Sequence, residues 1–261
     1  MIGIFDSGVG GLSVFKEIYN QLPDNKYIYV SDNGYCPYGP RPREEVISRA
    51  VSITDYLISK GAKLIVVACN TATAAAIEYL RENYSIPFVG MEPAIKPAAI
   101  HSKSAVVGVL ATKGTFKGEL YLKTSSKFAS NVQVLEQVGE GLVELVENGE
   151  VHSPQAYSLL TKYLEPMLEK GADHIVLGCT HYPFLTDVIK DIVGERMQII
   201  NPAPAIAKRV EEILLQEKIC DTTDTSNTFV TTGTNIALIQ KMVGDISPAL
   251  LKEAKFDTIV L

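Results

Sequence analysis

Short β-branched runs alternate with longer amphipathic stretches along most of this chain, and that rhythm limits its fold more than any other feature. Strand-like runs fall at 2–5, 27–31, 64–68, 88–90, 105–110, 132–136, 174–178, 198–201 and 228–232. Helix-like segments such as 43–60, 73–84, 153–170 and 203–217 lie between them. Apolar strands alternating with helices imply an α/β fold, with mostly parallel sheets covered by helices on both faces. Ligands of such sheets bind beyond the carboxyl ends of the strands, so the residues just after each strand are the ones to inspect.

The rhythm also repeats. Residues 57–71, LISKGAKLIVVACNT, overlay 167–181, MLEKGADHIVLGCTH, with Lys60/Lys170, Gly61/Gly171, Ala62/Ala172, Ile65/Ile175, Val66/Val176 and Cys69/Cys179 coinciding. A fainter match lays 3–7, GIFDS, over 108–112, GVLAT. Similar offsets in both matches suggest two α/β halves of similar design. Any two helix-Gly-strand units look alike, but that does not explain why both strands end on cysteine.

Cys69 and Cys179 each fall between a strand and the expected start of a helix. A helix N-terminus carries partial positive charge and unpaired N–H groups, which favour a thiolate and lower its pKa. Asn70, Thr71 and Thr180 add amide, hydroxyl and backbone donors at the same places, a setting suited to a carboxylate. The other two cysteines, Cys36 and Cys220, have no counterpart in the repeat. None of the four is in C-x-x-C spacing, so neither a redox motif nor a zinc ribbon is indicated.

Elsewhere the signals are weaker. Asp6 and Ser7 close the first strand, ahead of a glycine-rich turn that permits close ligand approach. Gly8-Val9-Gly10-Gly11-Leu12-Ser13 is close to a dinucleotide fingerprint, but Ser13 holds the final position and Asp32 is the nearest acidic partner. His181 follows Cys179 by two residues: the pair is half of a zinc site completed by Cys69 and a carboxylate, or His181 is a general acid or base, or a satisfied structural histidine. Tyr38 and Gly39 lie in a Pro- and Gly-rich loop that overhangs the strand ends. Glu147 reads as a solvated glutamate near a helix end.

Bulk properties fit a soluble protein. The chain has 261 residues, 46% hydrophobic and 21% charged, with a net charge of −6 and scattered Lys and Arg, which speaks against a nucleic-acid surface. No apolar run approaches the ~20 residues of a membrane helix. The N-terminal MIGIFDSGVGG lacks a basic signal-peptide region, so a cytoplasmic location is expected.

Taken together, FDSGVGG at 5–11, PYG at 37–39, ACNTATA at 68–74 and GCTHYP at 178–183 resemble glutamate racemase, the cofactor-independent racemase of bacterial cell-wall synthesis. The pieces span most of the chain in the right order. Asn201-Pro202-Ala203 departs from the family pattern, outside the chemistry. The resemblance implies two cysteines on opposite faces of the substrate α-carbon, Cys69 handling the proton of D-glutamate and Cys179 that of L-glutamate. It places Asp6 beside Cys69, and His181 and Glu147 beside Cys179. It implies substrate contacts from Asp6, Ser7, Tyr38, Gly39, Asn70, Thr71, Thr180 and His181, and from Thr112 and Thr115. No cofactor or metal is implied, and homodimers are. The expected architecture is one discontinuous α/β domain of 1–94 plus 205–261 and a second of 95–204, with the site in the cleft between them.

Overall fold

The computed structural model describes residues 1–92, 94–128, 131–219 and 226–261; Cys220 lies outside them. The chain opens with β1 (Ile2–Asp6), α1 (Leu12–Gln21), β2 (Tyr27–Ser31), α2 (Arg43–Ser59), β3 (Leu64–Val67), α3 (Asn70–Asn83), β4 (Phe88–Gly90) and α4 (Ile95–His101). It continues through β5 (Val106–Ala111), α5 (Lys113–Phe116), α6 (Glu119–Phe128), β6 (Gln133–Val138) and α7 (Leu142–Glu147). Next come α8 (Pro154–Glu169), β7 (His174–Gly178), α9 (Thr186–Val193) and β8 (Gln198–Ile200). The remainder is α10 (Ala203–Gln216), β9 (Thr228–Thr231), α11 (Ile236–Ile246), α12 (Pro248–Glu253) and β10 (Lys255–Thr258).

These strands build two sheets, in the orders β10-β9-β2-β1-β3-β4 and β6-β5-β7-β8. Every ladder among the described residues is parallel. The expected α/β class with mostly parallel sheets is therefore the observed one.

The sequence repeat has a structural counterpart down to register. The run β2-β1-β3-β4 has the same order as β6-β5-β7-β8. Gly3 lies opposite Ile65 in one sheet, and Gly108 opposite Ile175 in the other. The repeated glycines end α2 and α8 with φ of +93° at Gly61 and +80° at Gly171. A Cβ at either would meet nothing within 4 Å, so backbone handedness rather than space calls for glycine there.

The second half is followed by a return to the first sheet. β9 pairs with β2, and β10 pairs with β9. Phe15 on α1 fixes this return, meeting Tyr27 and Phe229 edge-on with ring centroids 5.4 and 5.2 Å apart. One buried apolar cluster joins both halves, from Ile2, Leu12 and Phe15 through Val210 to Leu142, Leu160 and Leu177. At about 1.5–3 kcal/mol for each large side chain buried, that cluster is a strong reason for the two sheets to stay together.

The strand β10 was not expected. Its sequence KFDT is half charged and largely exposed, as suits an outer strand paired on one side only. No helix among the described residues is long and apolar enough to cross a membrane.

Candidate active site

The chain's chemistry-bearing residues collect where β1, β3 and β7 end. A narrow cavity there, about 10 Å³ and room for about one water, is lined by Ser7, Cys69, Asn70, Cys179, Thr180 and His181, among others. It opens toward a cleft of about 870 Å³ and shares Pro37, Gly39, Thr71, Thr112 and Val143 with it. Both repeated cysteines thus reach one cavity from equivalent strands of the two sheets.

Cys69 caps α3, as expected: its Sγ accepts from the Ala72 N–H at 3.4 Å. It also lies 3.8 Å from the Ser7 hydroxyl. The expected fall in pKa is not found. Burial pushes the Cys69 thiol well above the ordinary thiol value, and the nearby Asp6 carboxylate pushes the same way. The Ala72 N–H opposes both but does not outweigh them. Resting Cys69 is a thiol.

Cys179 has different surroundings. No α-helix starts at it; a 3-10 turn, Tyr182–Leu185, intervenes before α9. The expectation of two helix N-termini therefore holds at Cys69 and fails at Cys179. Pro183 in that turn has no N–H to donate to a helical ladder. What Cys179 gains instead is His181, whose Nδ1 lies 3.7 Å from Sγ.

His181 in turn rests on Glu147, Nε2 to Oε1, at 2.7 Å. Burial pulls the His181 pKa down, but its bonds to Cys179, Cys36 and Glu147 outweigh that and hold it well above the usual value. Burial likewise raises Glu147, and His181 and the Val9 N–H bring it below the usual carboxylate value. Glu147 is no solvated surface residue. Its Oε1 accepts from the Val9 N–H at 2.7 Å, and its Oε2 from Asn33 at 2.8 Å and Asn235 at 3.1 Å. Glycines make room for this chain of contacts. A Cβ on Gly8 would lie 1.8 Å from Glu147 Oε1, and one on Gly10 would lie 2.3 Å from His181 Nδ1.

Asp6 is fully buried. Its Oδ2 accepts from the Gly8 and Gly11 N–H groups at 3.2 and 2.9 Å, and its Oδ1 accepts from Thr180 Oγ1 at 3.4 Å. Burial raises the Asp6 carboxyl above its ordinary value, against the pull of His181 and the Gly11 N–H. Asp6 thereby bridges the two halves through Thr180, and Ser13 does so as well by donating to the Thr180 carbonyl at 2.8 Å.

A second row of hydroxyls crosses between the halves. Thr71 Oγ1 lies 2.8 Å from Thr112 Oγ1, which lies 3.0 Å from Thr115 Oγ1. Thr112 caps α5 and lines the cavity, while Thr115 sits one step behind it. Asn70 carries the clearest sign of a missing ligand: both its amide N and O are buried with no hydrogen-bond partner. Each such group costs about 1–3 kcal/mol when left unmet, so a polar ligand belongs there.

The Tyr38 hydroxyl is committed to Asp32, so Tyr38 and Gly39 offer the cavity backbone and ring rather than a free phenol. Asp32 is spent on Arg49, which grips both its oxygens at 2.9 and 2.7 Å, and this removes the acidic partner a dinucleotide ribose would require. The alternative of a zinc site from Cys179, His181, Cys69 and a carboxylate does not match the grouping found. Among the described residues, the donors close enough to share a metal are Cys36, Glu147 and His181. No local pattern marks Asn33, Asn235 or Cys36 as a site residue; the signal available is position, since Asn33 and Asn235 follow β2 and β9 at the strand ends.

With this geometry in place, comparison with known proteins is informative. The family model for Asp/Glu/Hydantoin racemase matches residues 2–210. A glutamate racemase of Ectopseudomonas mendocina is 44% identical over 253 residues, which are 97% of this chain and 95% of that one. Among solved structures, a glutamate racemase isoform from Bacillus anthracis superposes with a TM-score of 0.87 at 34% identity, covering 100% of this chain and 97% of that one. Escherichia coli glutamate racemase, solved with L-glutamate and the activator UDP-MurNAc-ala, gives a TM-score of 0.85 at 33% identity, covering 99% and 97%.

Proposed function

This chain belongs to the Asp/Glu/hydantoin racemase family, and from that premise we propose that it interconverts L- and D-glutamate with Cys69 and Cys179 as the two acid/base groups. The observation that carries this reading is that two cysteines from equivalent strands of a repeated sheet line one cavity. A racemase without a cofactor needs one base and one acid on opposite faces of one carbon, and two matched halves facing each other provide such a pair.

In the D-to-L direction the Cys69 thiolate takes the α-proton: the C–H bond breaks and S–H forms. The Cys179 thiol then gives its proton to the other face of the carbanion, breaking S–H and forming C–H. The L-to-D direction runs the same steps in reverse, so each turnover exchanges the roles of the two sulfurs. His181, backed by Glu147, is placed to take and return the Cys179 proton. Asp6 and Ser7 stand at the Cys69 side.

The α-proton of an amino acid is a very weak acid, and the proposed reaction uses no cofactor to delocalise the carbanion. Donors fixed around the substrate must supply the stabilisation, and losing one such donor typically costs about 10²–10³ in rate. Asn70, Thr71, Thr112 and Thr180 are the candidates for that role, with Tyr38 and Gly39 forming a wall; Thr115 acts through Thr112. The sheet memberships support a division into 1–94 plus 205–261 and 95–204. A cavity of about 10 Å³ is too small for an amino acid, so the halves part to admit substrate and close on it. The product would supply D-glutamate for peptidoglycan in the cytoplasm, in a homodimer.

The test is circular dichroism of L-glutamate, and separately of L-aspartate, incubated with metal-free protein and no added cofactor. Decay of the L-glutamate signal to zero, with aspartate far slower, is expected. An unchanged signal with bound glutamate would make the protein a two-lobed binder. Activity lost on chelation and restored by zinc would make the metal essential and overturn the proposal.

A further inference from the structure

Cys36 has no place in the two-cysteine chemistry, yet it sits against the residues that serve Cys179. Its thiol faces both His181 and Glu147, and each of them bears on its ionisation. One donor atom from each of Cys36, Glu147 and His181 lies within 4.8 Å of the other two. The three come from different parts of the fold: the loop after β2, the end of α7 and the loop after β7. They converge on the space left by Gly8, whose absent Cβ would lie 1.8 Å from Glu147 Oε1 and 3.0 Å from Cys36 Sγ.

Sulfur, imidazole and carboxylate at this spacing match the donors of a three-ligand zinc site with an open fourth position. A sulfur ligand disfavours Mg²⁺ and Ca²⁺ and favours zinc and its neighbours. The support behind the ligands is present too. Asn33 and Asn235 hold the far oxygen of Glu147, as carboxylate ligands are commonly held. Cys36 is partly exposed on the loop after β2.

We propose that Cys36, His181 and Glu147 form an inhibitory zinc site that disables the Cys179 side of the centre. The proposal rests on the racemase reading for its consequence, not for the binding itself. On binding, the Cys36 S–H proton and the proton shared between His181 and Glu147 both go to solvent, and the His181–Glu147 hydrogen bond is replaced by two bonds to the ion. Held through Nε2, His181 keeps Nδ1–H as a fixed donor and cannot accept the Cys179 proton. Held through Nδ1, it leaves Cys179 altogether. Either way the proton can no longer pass between Cys179 and His181.

Cobalt(II) is a suitable probe, because a cobalt–thiolate bond gives a charge-transfer absorption that needs no turnover. The wild-type protein, Cys36→Ser, Cys36→Ala and Cys69→Ser would each be titrated with Co²⁺, and racemisation would be followed against Zn²⁺. The wild type and Cys69→Ser should show the thiolate band, and both Cys36 variants should lack it. Zinc should inhibit wild-type racemisation, reversibly on chelation, and inhibition of the Cys36 variants should need about tenfold more zinc or beyond, equivalent to ~1.4 kcal/mol of lost affinity. No band in the wild type, a band that survives loss of Cys36, or equal zinc sensitivity in all active forms would overturn the site. A Cys36-dependent band in a protein that never racemises glutamate would leave the site standing and sink the functional reading instead.

Discussion

The surroundings of the two cysteines differ more than the scaffolds that hold them. Cys69 lies at the start of a true α-helix, with the carboxylate of Asp6 and the hydroxyl of Ser7 for company. Cys179 lies before a 3-10 turn, with the imidazole of His181 and the carboxylate of Glu147 in line behind it. One sulfur has a carboxylate beside it that opposes its ionisation; the other has an imidazole whose partners raise its affinity for a proton. A repeated backbone therefore delivers two thiols to one carbon, and the unrepeated residues around them set different routes for each proton.

The largest expected effect tests whether each sulfur owns one face. Cys69→Ser and Cys179→Ser should each lower racemisation by about 10⁴ or more, at the upper end of what a positioned acid or base contributes. Steady-state rates cannot show which face is lost. L- and D-glutamate have equal free energies, so kcat/KM must be equal in the two directions for every variant. Elimination from a substrate carrying a β-leaving group needs only one base and does reveal it. Cys179→Ser should retain elimination from the D-enantiomer, and Cys69→Ser from the L-enantiomer. Equal residual rates on both enantiomers in both variants would remove the one-face assignment.

A next, smaller effect separates the neighbours. Asp6→Asn should slow elimination from the D-substrate more, and His181→Asn that from the L-substrate, each by about 10²–10³. Because burial and Asp6 raise the Cys69 pKa, D-substrate elimination by Cys179→Ser should climb with pH through the ordinary thiol range without levelling off. The sign follows from the base being the thiolate, which is scarce below its raised pKa. A plateau near neutral pH would show that Cys69 is activated at rest and that the surroundings were misjudged.

Much of this contrast was legible in the sequence, and the limit is instructive. The repeat placed Cys69 and Cys179 at equivalent strand ends because strand identity is written in short local runs, VV-A-C and VL-G-C. The helix N-terminus after Cys69 was readable from NTATAAA, a run of small helix-compatible residues. The same inference failed after Cys179, where Tyr182-Pro183-Phe184-Leu185 winds into a tighter turn first. Glu147 was readable only by resemblance, since nothing local distinguishes it. Its burial comes from Val9, Asn33, His181 and Asn235, contacts between 34 and 138 positions away along the chain. The raised Cys69 pKa was missed for the same reason: local spacing shows the helix start, but only the assembled halves show how fully water is excluded.

Gly10→Ala tests the His181 side without touching a titratable group. The added methyl would enter the ring of His181, at 2.3 Å from Nδ1 and 2.6 Å from Cε1. The ring must then shift by about 1 Å, a displacement that typically costs up to about 10² in rate. Elimination from the L-substrate should suffer and elimination from the D-substrate should be largely spared. Losses of the same size on both sides would mean that the glycine-rich turn positions Asp6 as much as His181.

The smallest expected effect concerns the two remaining cysteines. Cys36 lies within 4.8 Å of His181 and Glu147, beside the Cys179 side, yet burial holds its thiol up at about 11. At neutral pH it is therefore a thiol and a weak donor, with no thiolate to offer a substrate. The partners His181 would retain are Glu147 at 2.7 Å and Cys179 at 3.7 Å. Cys36→Ser in metal-free protein should leave kcat within about tenfold, under ~1.4 kcal/mol of barrier. Cys220→Ser should do the same, since that residue has no partner in the repeat. A thousandfold loss at Cys36 with folding intact would make it a third participant in proton transfer. The comparison would then be between one cysteine backed by a carboxylate and one backed by a thiol, an imidazole and a carboxylate together.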